Sequence, residues 1–179
     1  MAGLNLLVTG KPGVGKTTLV ERVIERLRDF VRLAGFTTTE VRTPTGERLG
    51  FNIVTVEGKS GELARLGIPG PVRVGRYDVN LEGFERLALP ELARRDIDLI
   101  VIDEIGKMEC SSEGFCRAVE NTLNAPVNVL ATLGMGRLPF FESVRDRPDI
   151  ELLTLTVRNR DALVTELSAR FLGAPRKRH

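Results

Sequence analysis

The chain has 179 residues, 42% hydrophobic and 28% charged, with a formal net charge of +2. That is enough chain for one domain with its own core, and so small a charge argues against a broad polyanion-binding surface. No stretch approaches the ~18 apolar residues of a membrane span, and two cysteines (Cys110, Cys116) with a single histidine (His179) support neither a disulfide framework nor a zinc site.

Asn5-Leu6-Leu7-Val8 reads as a short apolar strand. Residues 18–33 read as an amphipathic helix, with Leu19, Val20, Val23, Ile24, Leu27 and Val31 on one face at the 3.6-residue period. Between them stands Gly10-Lys11-Pro12-Gly13-Val14-Gly15-Lys16-Thr17, a full match to G-x-x-x-x-G-K-[ST] in the strand-to-helix context that the motif needs. The glycines let the backbone curl so that successive N–H groups converge on phosphate oxygens. The N-terminus of the helix adds partial positive charge at the same place. In that pattern Lys16 reaches the β- and γ-phosphates and Thr17 offers its hydroxyl to Mg²⁺. Residues 10–17, with Thr18 after them, form the candidate nucleotide-binding loop. No signal-peptide pattern is present, because Lys11 and the glycine loop arrive too soon, and a cytoplasmic protein is expected.

Residues 36–42 and 48–56, rich in Thr, Val, Ile and Phe, read as an antiparallel pair around Thr43-Pro44-Thr45-Gly46-Glu47. Residues 58–71 are rich in glycine and proline and read as loop with a short helical turn. Residues 72–79 alternate like one more strand. Residues 81–94 are helical with an interruption near Pro90, which can also open a new helix at its first turn. A β-rich insert of about residues 36–79 is therefore expected at one edge, next to the nucleotide.

Leu99-Ile100-Val101-Ile102 is a continuous apolar run of the kind that forms buried parallel strands. Ser111 or Ser112 can cap a helix running to about Leu123. A strand over 127–132, a short helix over 139–144, a strand over 152–157 and a helix over 161–172 complete the chain, the last with Leu163, Leu167 and Phe171 inward. Strands alternating with helices predict one α/β domain over 1–179, a mostly parallel sheet with helices on both faces. A short basic tail, 174–179, ends it.

Asp103 and Glu104 close the apolar run. A carboxylate at the carboxyl end of a buried strand can hold Mg²⁺ opposite Thr17. Its neighbour points elsewhere, so Glu104 can orient and deprotonate a water aimed at the γ-phosphate. With the only histidine at the chain end, a general base has to be a carboxylate, a lysine or a positioned water. Asp103-Glu104-Ile105-Gly106 also satisfies the D-x-x-G of GTPase switches, yet no N-K-x-D is present and Asn159-Arg160-Asp161 has the wrong spacing to replace it. Charge building on the leaving phosphate calls for a further cation. Arg42, Arg48, Lys107, Arg137 and Arg160 are candidates, with Lys107 and Arg48 first. Phe51 or Tyr77 could stack on a base, although aromatics in strand-like runs are more often core.

Residues 10–18 (GKPGVGKTT), Gly35-Phe36 with Thr39-Glu40-Val41-Arg42, Arg48-Leu49-Gly50-Phe51, Arg73-Val74-Gly75-Arg76-Tyr77, residues 84–90 (FERLALP) and residues 101–109 (VIDEIGKME) occur in that order. Together they resemble the cancer-related nucleoside-triphosphatase family, small P-loop NTPases of bacteria, archaea and animals. The resemblance implies a RecA-like sheet and Mg²⁺-dependent hydrolysis of nucleoside triphosphates to diphosphate and phosphate, with broad tolerance for the base. It implies that residues 10–17 bind the phosphates and that the segment Asp103-Glu104-Ile105-Gly106 is the second nucleotide-contacting stretch. Thr37-Thr38 depart from the family pattern, which has an aromatic and a small polar residue after Gly-Phe, and this bears on base preference.

Two other readings stand beside hydrolysis. The same loop serves nucleotide or small-molecule kinases, with residues 137–147 as a lid. A nucleotide-switched RNA- or DNA-binding module is the third, against which the near-neutral charge argues. Oligomeric state is not legible.

Overall fold

Residues 3–174 are described by a computed structural model; the basic segment Arg176-Lys177-Arg178 and His179 lie outside the described residues. Strand β1 (Asn5–Thr9) passes through the glycine loop into helix α1 (Lys16–Leu27). There follow β2 (Leu33–Arg42), β3 (Arg48–Thr55), β4 (Ser60–Arg65), β5 (Val72–Val74), β6 (Tyr77–Val79) and α2 (Leu81–Leu92). The remainder is β7 (Leu99–Ile105), a 3-10 turn (Glu109–Ser111), α3 (Glu113–Leu123), β8 (Asn128–Leu133), α4 (Pro139–Arg145), β9 (Ile150–Thr154) and α5 (Arg160–Gly173).

Among the described residues the nine strands join one sheet in the order β5-β6-β4-β3-β2-β7-β8-β1-β9. From β2 to β9 every pairing is parallel. From β2 to β5 every pairing is antiparallel. The β-rich segment is thus a continuation of the sheet, with β2 belonging to both halves: Leu33 to Phe36 pair with β7, and Phe36 to Arg42 pair with β3.

Side-chain alternation sorts the core into two layers. Leu6 and Val8 join Leu19, Val20, Val23, Leu27, Leu163, Leu167 and Phe171 under α1 and α5. Leu7, Ile100 and Ile102 face the opposite layer with Phe84, Phe115 and Phe141 from α2, α3 and α4. In that second layer Phe36, Phe84 and Phe115 form a trio with ring centroids 5.2–6.0 Å apart.

Several expected boundaries move. Residues 60–65 are strand rather than loop, because Leu63 and Ala64 are buried beside β3 and β6 while the rest of β4 stays wetter. Residues 72–79 form two short strands, since Gly75 at φ 61° turns the chain between them. Helix α2 runs through Pro90 without a break; one missing N–H in the last turn is offset by the burial of Phe84, Ala88 and Leu92. The first helix ends at Leu27, although Val31 beyond it is still buried. Ser112 is the cap of α3, its hydroxyl accepting from the Phe115 N–H at 2.9 Å. Strand β7 extends past the apolar run to Ile105 and carries Asp103 and Glu104 within it.

Candidate active site

The parallel strands β1, β8 and β7 lie side by side, so the loop after β1 and the acids of β7 reach the same carboxyl edge of the sheet with β8 between them. Gly13 and Gly15 have φ values of 76° and 103°, a left-handed conformation that side chains rarely adopt. They turn the loop so that α1 begins at Lys16 without any side-chain cap and without an acid in its first turn. Its free N–H groups and dipole are therefore available to an anion. Lys16 Nζ donates to the Gly10 carbonyl at 3.1 Å and stands 3.9 Å from Glu104 Oε2.

Asp103 is 1% exposed. Its Oδ1 accepts from the Thr132 hydroxyl of β8 at 2.6 Å. Its Oδ2 is buried with no hydrogen-bond partner. Burial pushes its pKa up, opposed by Thr132, the Thr17 hydroxyl, the Thr38 N–H and the charge of Lys16. A buried carboxylate with one unpartnered oxygen, beside the Thr17 hydroxyl, suits a hard divalent cation. Among the described residues no cluster of three or more His, Cys, Asp or Glu could hold a metal. Asp103 and Thr17 offer one carboxylate and one hydroxyl, a sparse set that fits Mg²⁺ when phosphates and water complete its shell.

Glu104 points the other way along β7, into a cleft of about 400 Å³. Burial raises its pKa, the Lys16 charge lowers it, and Asp103 raises it again. Gly10, Pro12, Gly13, Lys16 and Thr17 wall the same cleft, as do Arg48, Lys107 and Glu109. A Cβ at Gly106 would lie 2.6 Å from Glu109 Oε2 and 2.8 Å from Glu104 Oε1, so a side chain there would displace both carboxylates.

The expected site residues divide accordingly. Lys16, Thr17, Asp103, Glu104, Lys107 and Arg48 converge on the cleft or its floor. Lys11 is exposed beside the loop and Val14 packs on the core beneath it. Gly15 and Thr18 line a neighbouring cavity. Ile105 is a core residue whose carbonyl accepts from the Gly134 N–H at 3.1 Å.

Arg48 is ion-paired with Glu40 and lies over the Phe51 ring at 5.5 Å, with its Nε buried and unpartnered. Arg42 is spent on Glu40 and on the Gly46 carbonyl. Tyr77 is buried edge-on against Phe51. Arg160 lines the neighbouring cavity and not the cleft of Lys16 and Glu104.

The segment 137–147 is anchored rather than free to act as a lid. Phe141 and Val144 are buried, and Arg145 donates to the carbonyls of Gly136 and Gly134 at 3.0 Å each.

Two further residues belong to the site. Thr132 fixes Asp103 from a strand 29 positions away in sequence. Glu109 is 5% exposed and its pKa is raised to about 8, chiefly by burial and then by Glu104 and Asp103, against its own N–H and that of Gly106. In sequence it is one more acid at the start of a helical turn, and only the packing around Gly106 singles it out.

A family model described as NTPase matches residues 5–168. The chain is 41% identical over 167 residues to nucleoside-triphosphatase THEP1 of Thermotoga maritima, covering 92% of this chain and 93% of the relative. It is 40% identical to the cancer-related nucleoside-triphosphatase of Homo sapiens, covering 91% and 94%. The crystal structure of THEP1 from the hyperthermophile Aquifex aeolicus superposes with a TM-score of 0.83 at 37% identity, over 93% of this chain and 98% of that one. The solution structure of a human cancer-related nucleoside triphosphatase superposes with a TM-score of 0.79 at 40% identity, over 92% and 95%.

Proposed function

The chain belongs to the NTPase family, has the P-loop NTPase fold and is a hydrolase of nucleoside triphosphates, and we propose that it works with Mg²⁺, uses Glu104 to activate water and has broad tolerance for the base. The observation that carries this reading is the split between the two adjacent acids of β7. Asp103 turns down to a buried site beside Thr17, and Glu104 turns up into the cleft beside Lys16.

Residues 10–17 bind the triphosphate through the loop N–H groups, and Lys16 moves from the Gly10 carbonyl to the β- and γ-phosphate oxygens. Thr17 and Asp103 would hold Mg²⁺, which when bound draws charge from those oxygens. Thr132 keeps Asp103 oriented, and its hydrogen bond opposes the burial that raises the pKa of the carboxyl. Glu104 accepts the proton of a water in line with the γ-phosphate, and its raised pKa makes it a better base than a solvated carboxylate. As negative charge grows on the leaving diphosphate, Lys16 stabilises it first and Lys107 and Arg48 add to the field of the cleft. The products are the nucleoside diphosphate and inorganic phosphate.

Base tolerance is supported by a cleft that, among the described residues, no Asn or Gln side chain lines and in which Phe51 is engaged by Arg48. Phosphate release from ATP, GTP, CTP and UTP, with Mg²⁺ and with EDTA, tests the reading. Turnover of all four that stops in EDTA supports it. Turnover insensitive to EDTA, or confined to one base, refutes the corresponding part.

A further inference from the structure

A triphosphate bound on the loop has a direction, given by the side chains at its two ends. Lys16, Glu104 and Lys107 gather at one end, where the β- and γ-phosphates belong. The α-phosphate is left to the N–H groups toward Thr18, so the sugar and base leave the loop beyond Thr18, away from Glu104. A second cavity of about 210 Å³ opens there, lined by Gly15, Thr18, Leu19, Arg22, Arg160 and Asp161. It shares no lining residue with the first cleft, and the phosphate loop and the start of α1 form the partition between them.

We infer that this second cavity is the nucleoside subsite, in which Arg160 covers one face of the base and Asp161 accepts a hydrogen bond from a ribose hydroxyl. The inference rests on the phosphate orientation proposed above.

The pieces are held in place for this task. Arg22 Nη1 of α1 donates to Asp161 Oδ1 at 2.5 Å, which fixes the carboxylate although it is 77% exposed. The turn leading to Arg160 is tied down by Asn159, whose Oδ1 accepts from the Thr156 N–H at 2.7 Å and whose Nδ2 donates to the Thr154 carbonyl at 2.9 Å. That turn is tied to the strand that carries the phosphate loop, because the Leu155 N–H donates to the Thr9 carbonyl at 2.7 Å. Leu19 supplies an apolar floor.

The chemistry suits a nucleoside of unspecified base. A guanidinium plane stacks on any base face, because it reads the π-system rather than the edge. The cavity contains no amide side chain and no second carboxylate with which to read a base edge. It is also smaller than the pockets of roughly 300 Å³ and more that enclose a whole ligand, so the outer part of the base stays in water. Asn159-Arg160-Asp161, which cannot serve as a guanine-reading motif, thereby acquires a role toward any nucleoside.

Inorganic tripolyphosphate separates the nucleoside from its phosphates. The full chain and its Arg160→Ala and Asp161→Ala variants are compared by steady-state kinetics on the four NTPs with Mg²⁺, and by calorimetric binding of Mg²⁺-tripolyphosphate. Both side chains are exposed, so folding is retained and is checked by thermal melting. Each variant is expected to raise KM for every NTP about fivefold, with kcat within about twofold and tripolyphosphate affinity unchanged. Unmoved KM values overturn the subsite, as does a parallel loss of tripolyphosphate affinity, which would make these residues phosphate ligands. If the unsubstituted chain retains neither NTP nor tripolyphosphate, the phosphate loop itself is misread, an outcome distinct from the other two.

Discussion

Lys16 Nζ stands 3.9 Å from Glu104 Oε2, the cation of the phosphate loop facing the acid of the central sheet across the mouth of the cleft. The pairing is loose and shared with the Gly10 carbonyl, so it can be exchanged for phosphate oxygens at small cost. It also bears on the pKa of Glu104, which burial raises and the Lys16 charge lowers.

The two residues are expected to fail differently. Glu104→Gln keeps the shape of the side chain and removes the base, so ATP binding persists while kcat falls about a hundredfold or more. Lys16→Ala removes a contact made in the ground state and strengthened in the transition state, so KM rises and kcat falls together. Steady-state kinetics with Mg²⁺-ATP, and calorimetric ATP binding to the Glu104→Gln variant, check both. Wild-type turnover in Glu104→Gln would remove Glu104 from the mechanism.

Glu109 makes stability depend on pH. Its pKa is raised from 4.5 to about 8, so between those values the folded chain holds a proton that the unfolded chain has lost. With more protons bound in the folded state, stability falls as pH rises through that window and levels off above about 8. Glu109→Gln is neutral at every pH and escapes the loss, for a gain of up to about 3 kcal/mol at pH 7 that vanishes below about pH 4.5. Urea denaturation of both proteins at pH 5, 6, 7 and 8 measures the difference. Curves that stay parallel across the series would show that the carboxyl is not held neutral.

What could be read in the sequence follows from the range of the interactions. The loop from Gly10 to Thr17 is local, since its function depends on backbone shape and on residues within a single turn, and the motif names them all. Asp103 and Glu104 are legible because a buried strand advertises itself as an apolar run and the acids end it. Thr132 and Glu109 are illegible for the opposite reason. Each owes its role to a partner brought in by the fold, Asp103 for Thr132 and the packing over Gly106 for Glu109. Strand β4 hides because only Leu63 and Ala64 of its six residues are buried, so neither alternation nor a continuous apolar run appears. Arg160 is a transition-state candidate on charge alone, and its place in the second cavity depends on how β9 lies beside β1.

The aromatic trio sets the stability of the layer that supports β7. Phe84 is completely buried, 5.7 Å from the Phe36 ring and 5.2 Å from that of Phe115. Phe84→Ala is expected to cost about 3–5 kcal/mol, from lost transfer energy and from the cavity left between α2 and the sheet. Urea denaturation reads it directly, and a loss below about 1 kcal/mol would mean that the layer closes over the gap.

Asp103 carries the metal half of the reading, and its substitution separates metal binding from folding. Asp103→Asn preserves an oxygen for the Thr132 hydroxyl but replaces the unpartnered Oδ2 or its charge with a neutral amide. Burial already makes the charged form costly, so the variant without ligand is expected to melt no lower than the natural chain. Mg²⁺ with a non-hydrolysed ATP analogue should raise the melting temperature of the natural chain, since ligands that bind only the folded state stabilise it. The same addition should raise that of Asp103→Asn far less, and kcat should fall about a hundredfold because the charge on the transferring phosphoryl group loses its counter-ion. Equal shifts in the two proteins would place the cation elsewhere, while a large drop in the melting temperature of the variant without ligand would make Asp103 a structural acid, held by Thr132 for the sake of the sheet rather than for the metal.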